Sequence, residues 1–265
     1  MIKGLLVLDE NLASSIALRY ACRLADYLPI KFKAAHVEDP DADRQSAGVG
    51  WIKRIWEEGI EDAGRQTVRR LIQTEKVDCE FMGDPKILIG DHNQELLNTL
   101  WRDSYQLFIE GNLNTSNIDD FYNLITSELY KNSQTPMLIV KNLVTPDKAV
   151  LICGEGVRLD VLGSQFLKIA KDASFTVDIL FYKHEDNGEL QYLDNSEGGS
   201  ALKKFEKMLS ENGFQIGQSR VISGSPAQTA DLLRDYGLAI TTFPARKSAR
   251  LELLANIPIP VMLCQ

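Results

Sequence analysis

Residues 2–28, IKGLLVLDENLASSIALRYACRLADYL, constrain this chain more than any other stretch. An apolar run gives way to a short acidic turn, and then to apolar residues at helical spacing. The stretch reads as a buried strand, a corner and a helix. The same succession returns at residues 149–173, AVLICGEGVRLDVLGSQFLKIAKDA. One α/β unit written twice accounts for both, and 265 residues leave room for two ordinary domains.

Each half continues in the same order. Residues 3–8 read as one strand, apolar from Gly4 to Leu8, as a strand covered on both faces requires. Asp9, Glu10 and Asn11 break the strand and can cap the next helix, because short polar side chains accept bonds from free N–H groups. Ile16, Ala17, Tyr20, Ala21, Leu24, Ala25 and Leu28 form that helix's stripe, and Pro29 ends it. A second strand follows at 32–37, then a polar loop at 41–50 and a long helix over 52–71. A third strand at 86–89 leads through a Gly90-Asp91 corner into a helix with Leu96, Leu97, Leu100 and Trp101. A fourth strand at 107–109, an Asn-rich loop at 111–117, a helix marked by Phe121, Tyr122, Ile125 and Leu129, and a last strand at 136–140 complete the half. Residues 144–147 read as a linker.

The second half places strands at 150–153, 177–182, 218–222, 238–242 and 260–263. A polar, mobile surface loop is expected at 184–200, and a truncated last helix at 251–256. Strands alternating with helices imply right-handed crossovers and a mostly parallel, doubly wound sheet.

Composition narrows the function. A hydrophobic content of 44% lets each half bury its own core. A formal net charge of −8 argues against nucleic acid and anionic membrane surfaces, whose affinity comes from neutralising phosphates. No apolar run reaches bilayer length, and MIKGLLVLDE reads as a strand without the apolar region of a signal peptide. Cys22, Cys79, Cys153 and Cys264 form no C-x-x-C pair, with Cys22 and Cys264 set among apolar residues as small core hydrophobes. A reduced, cytoplasmic protein is expected. His36, His92 and His184 lack metal-ligand spacing, and no Ser-His-Asp order or nucleophile elbow announces catalysis.

The stretches LLVLDENLASSIALRYACRLA, AAHVEDP, GSPAQTADLLRDYG, PMLIV and PVML, five in all, together resemble the universal stress protein family in its tandem, two-domain form. LLVLDENLASSIALRYACRLA resembles that family's opening strand, acidic turn and helix, and AAHVEDP its second strand. GSPAQTADLLRDYG resembles its Gly-x-Pro turn and third helix, and PMLIV and PVML its Pro-led final strands. The resemblance spans nearly the whole chain. It implies two tandem doubly wound parallel-sheet domains of the adenine-nucleotide-binding α/β type, at 1–145 and 146–265, packed as an intramolecular pseudo-dimer. The Pro-led strands would pair antiparallel and cover two edges that would otherwise invite aggregation.

Some members of the family bind ATP. They use an Asp that ends strand one, backbone of strand two, and a loop G-x2-G-x9-G-[ST] after strand four, whose glycines let N–H groups approach phosphate oxygens. Carried over residue by residue, Asp9, Val37 and Gly111 match the first three positions, and Asn114 stands where the second glycine belongs. Asn114 can adopt a left-handed backbone at modest cost. The third glycine and its hydroxyl are missing near residues 123–125, and Thr115, Ser116 and Thr126 lie outside the family's frame. In the second half Gly154 replaces Asp9, and TTFPARKSARL has no glycine.

Each candidate has a plainer reading. Asp9 either contacts a nucleoside or caps a helix; Gly111 and Asn114 either cradle phosphate or belong to a solvated connector. Arg246, Lys247 and Arg250 either grip an anion or make local charge pairs. Trp51, Ile52, Ile55 and Trp56 either dock a partner or pack on the sheet, and the latter is the default. The resemblance implies a stress-response or signalling protein that works by binding, with degenerate nucleotide sites and no evident catalysis. The alternative is an ATP or AMP sensor using the N-terminal site alone; an enzyme of the wider adenine-nucleotide group is a third, weaker option. An unknown protein partner and a further homodimer stay open.

Overall fold

The computed structural model describes residues 1–39, 51–115, 117–185 and 189–265, and for Ile52 the backbone only. The loop expected at Asp41 to Gly50, and Ser116, therefore lie outside the described residues. The first half runs β1 (Ile2–Val7), α1 (Leu12–Ala25), β2 (Ile30–Glu38), α2 (Trp51–Glu75), β3 (Lys86–Ile89), α3 (His92–Asp103), β4 (Leu107–Gly111), α4 (Ile118–Ile125), α5 (Glu128–Asn132) and β5 (Met137–Val140). The second runs β6 (Lys148–Gly154), α6 (Leu159–Ala170), β7 (Thr176–His184), β8 (Gln191–Leu193), α7 (Gly199–Glu211), β9 (Ile216–Gly224), α8 (Pro226–Leu232), β10 (Leu238–Thr242), α9 (Ala249–Asn256) and β11 (Val261–Cys264).

The strands form one sheet in the order β3-β2-β1-β4-β5-β11-β10-β6-β7-β9-β8. Each half is doubly wound, with its opening strand central and the chain winding first to one side and then to the other. The halves meet where β5 pairs antiparallel with β11, with Val261 opposite Ile139, Met262 opposite Leu138 and Leu263 opposite Met137. All eight residues of these two short strands are buried. Every other pairing is parallel except β8 on β9.

Two apolar layers sandwich the sheet. One carries α1, α2, α6 and α7, the other α3, α4, α5, α8 and α9. Side-chain bonds also cross the seam. Tyr20 on α1 donates its buried hydroxyl to the Gly237 carbonyl at 2.7 Å. The Lys141 ammonium, just past β5, reaches the Leu254, Ala255 and Ile257 carbonyls at the end of α9 at 2.5, 3.1 and 3.4 Å.

Several expectations change. The last helix of the first half is two helices, because the Thr126 hydroxyl turns back onto the Tyr122 carbonyl at 2.7 Å and Ser127 leaves helical backbone. The described part of 184–200 is not a mobile loop throughout. It contains β8 and a 3-10 turn at Asn195–Gly198, capped by Asp194, and β8 covers the open edge of β9. Trp101, placed on α3 with Leu96, Leu97 and Leu100, is 59% exposed, while the three leucines are buried.

The reduced-cysteine expectation is also corrected. Cys22 and Cys79 form a disulfide with Cα atoms 5.1 Å apart, because α1 and the segment after α2 lie side by side on one sheet face. Cys153 and Cys264 are free and buried, and Cys264 is core as expected. Among the described residues, no helix is long and apolar enough to cross a membrane.

Candidate functional site

In a doubly wound sheet, ligands bind outside the strand ends where the winding reverses. In the first half that point lies between β1 and β4, and Asp9 and Gly111 stand on either side of it. Asn11 caps α1 by accepting from the Ser14 N–H at 2.8 Å, and Ser14 in turn accepts from the Asp9 N–H through its hydroxyl at 2.8 Å. Asp9 is therefore not the cap. Its carboxylate instead lies 3.0 Å from Nδ1 of His36.

His36 is the centre of this cluster. Its Nδ1 also lies 2.8 Å from the Leu8 carbonyl, and its Nε2 lies 3.0 Å from the Glu38 carboxylate. His36 is buried, and both ring nitrogens have partners. Burial opposes its charge. The hydrogen bonds to Asp9, Glu38 and Leu8, with the Asp9 charge, outweigh that and raise its pKa from 6.5 to about 9. The ring packs under α2 at Gly64, where a Cβ would come within 3.1 Å of it. Val37 points to the other sheet face, half-buried against the second core layer and paired with Leu88. The histidine and the valine are thus adjacent in sequence but on opposite sides.

Gly111 ends β4 opposite Val140. A Cβ there would sit 2.0 Å from the Ala13 carbonyl oxygen, so the first turn of α1 rests directly on the glycine. Asn114 is exposed, and its N–H bonds the Asn112 side chain at 3.0 Å in an Asx turn. Among the described non-glycine residues, positive φ occurs only at Lys76 and Ser104, so Asn114 does not adopt the left-handed backbone open to it. Thr115 is buried, and Thr126 donates to Tyr122.

Glu110, beside Gly111, escaped sequence reading. Its carboxylate accepts from the Tyr130 hydroxyl. Burial raises its pKa to about 7; the Tyr130 bond works against this and the Asp9 charge with it. A lone Glu in the run LFIEG was the available signal. Asp9 and Glu38 thus bracket His36 at the switch point, while Glu110 turns to Tyr130 in the other core layer. Among the described residues no group of three or more His, Cys, Asp or Glu is arranged to hold a metal ion.

In the second half the equivalent corner is closed. Gly154 has φ +144°, and a Cβ there would lie 2.4 Å from the Tyr182 carbonyl oxygen. Of the basic cluster, Arg250 donates to the Phe243 carbonyl at 3.1 Å and the Thr242 hydroxyl at 3.3 Å, and burial lowers its pKa to about 10. Lys247 pairs with Asp119 of the first half at 2.5 Å and lies over the Tyr122 ring. Arg246 is exposed. The reading of local charge pairs fits this cluster. A cleft of about 380 Å³ opens at the other end of the strands, between Trp101 and Tyr105 of one half and Gln165 and Lys168 of the other.

No family model and no curated protein matches the chain. Solved structures do. A universal stress protein from Archaeoglobus fulgidus DSM 4304 is 14% identical, with 99% of this chain and 96% of that one covered at a TM-score of 0.61. A proposed universal stress protein from Pseudomonas aeruginosa UCBPP-PA14 is 16% identical, with 99% and 92% covered at 0.55. The cytoplasmic domain of a prokaryotic cation chloride cotransporter is 9% identical, with 99% and 95% covered, also at 0.55. Along its full length the chain has the fold of the universal stress proteins, in two tandem doubly wound halves.

Proposed function

We propose that the chain is a tandem universal-stress-protein-like binding protein, with domains at 1–145 and 146–265 that act as an intramolecular pseudo-dimer. Its role would be stress response or signalling, by scaffolding rather than turnover, with both nucleotide sites degenerate. The full-length likeness to a universal stress protein supports the stress-response setting. The similar likeness to a transporter's cytoplasmic domain is the reason to argue role from the site rather than the fold.

One observation carries the degenerate-site reading. The acid that would meet a nucleoside is held by His36, and the glycine that would face phosphate is covered by Ala13. The Glu110 carboxyl, held by the Tyr130 hydroxyl, stands next to that glycine, where phosphate sites offer N–H groups or cations. The residues present do not fit an adenine nucleotide held in the family's manner.

The test is thermal unfolding with and without millimolar ATP-Mg²⁺, ADP or AMP. A ligand at 100 times its Kd stabilises by about 2.7 kcal/mol, or roughly 5–10 °C in a chain of this size. No shift is expected. A shift that Asp9→Ala abolishes would replace this reading with that of a nucleotide sensor working through the first domain.

A further inference from the structure

The N-terminal half of α2 was expected to pack on the sheet, and it does not. Packing begins at Gly64 and continues through Val68; among the described side chains of residues 51–63, none is buried. Trp51 is 70% exposed and Ile55 57%. A Cβ added at Gly59 would meet nothing within 4 Å. Trp51, Ile55 and Gly59 recur every four residues and share one face of the helix.

Charge says what could cover that face. Arg54 and Glu58 flank it on one side and make no ion pair among the described residues, whereas Lys53 pairs with Glu57, and Arg65 with Glu61 and Asp62. Arg54 also lies near the N-terminus of the helix, where the macrodipole disfavours a cation and no acidic residue offsets it. An antiparallel copy of the same helix, centred on Ile55, satisfies all of this in one register. Ile55 meets the partner's Ile55 once, on the two-fold axis; the Trp51 indole over the bare backbone of the partner's Gly59, and Arg54 against the partner's Glu58 at a two-residue offset of about 3 Å along the helix, are each made twice by symmetry. The edge of β5 cannot serve a second copy, because β11 already occupies it.

We propose that the exposed N-terminal half of α2 is a self-association surface that pairs antiparallel with the same segment of a second copy of this chain. The contact is small, which places the dimer among weak, concentration-dependent ones.

Sedimentation of the full-length chain up to about 100 µM, where weak contacts of this size become populated, tests it. A monomer–dimer equilibrium is expected. Ile55→Asp should abolish it while leaving the far-UV spectrum and melting temperature unchanged, since the side chain is exposed in the monomer. Arg54→Glu and Glu58→Arg should each sediment as monomers alone, because each places like charges together. Mixed in equal amounts they should dimerise, because every cross-pair then has opposite charges. A monomer at all concentrations, a dimer indifferent to Ile55→Asp, or a mixture that stays monomeric would overturn the proposal.

Discussion

Asp9 shows how a residue's neighbours decide its role. Its position after the opening strand allows a helix cap or a nucleoside contact, and its surroundings remove the first. Asn11 caps the helix, and Asp9 pairs with His36. The pairing has a pH signature. The histidine's folded pKa of about 9 lies above its ordinary 6.5, so the folded chain keeps a proton that the unfolded chain releases between those values. The stabilisation is fully present below pH 6.5 and is lost as pH rises through about 9. Asp9 and Glu38 are a third or more exposed, which screens the pair and limits the effect to about 1–2 kcal/mol. Urea midpoints of wild type and His36→Gln should therefore differ at about pH 6 and converge by about pH 10. A constant gap across that range would mean that His36 acts by packing alone.

At the scale of elements, the order of strands and helices was legible because each segment advertises itself locally. The third strand lies at Lys86–Ile89 as read, Asp91 caps α3, and Ser225 forms a capping box with Gln228 at α8. Features that need a distant partner were not legible. Cys22 and Cys79 stand 57 residues apart in sequence, and β8 is a strand only because β9 offers it an edge. Trp51 carries core-like chemistry on a helix that begins before it reaches the core. At the candidate site the surroundings of the named positions were not legible. Gly111, read as opening the loop after the fourth strand, ends β4, and its missing Cβ makes room for α1. Gly111→Ala should thus cost about 3 kcal/mol, because the clash is with backbone and no rotamer relieves it. Asn114→Ala, on the exposed Asx turn, should stay within about 0.5–1 kcal/mol. Both are read from denaturant midpoints without nucleotide. A neutral Gly111→Ala would show that α1 is free to move off β4, reopening the space for a phosphate.

For the whole molecule, the question is whether two similar halves unfold as one. The pairing of β5 with β11 is what the resemblance of the Pro-led strands implied, and it covers two edges that either strand left alone would present to water. The bonds of Tyr20 and Lys141 across the seam add polar groups that would lose their partners if one half opened. A single cooperative transition follows, and the chain carries its own reporter. All three tryptophans, Trp51, Trp56 and Trp101, lie in the first half. Phe166 is fully buried in the second, edge-on to Phe214 with ring centroids 4.8 Å apart. Phe166→Ala should cost about 3–5 kcal/mol as a large-to-small core change. If the seam couples the halves, tryptophan fluorescence and far-UV circular dichroism will shift together to the same lower urea midpoint. If fluorescence kept the wild-type midpoint while the dichroism split into two steps, the halves would be independent domains, and the β5–β11 pairing would be an association between them rather than the centre of one folding unit.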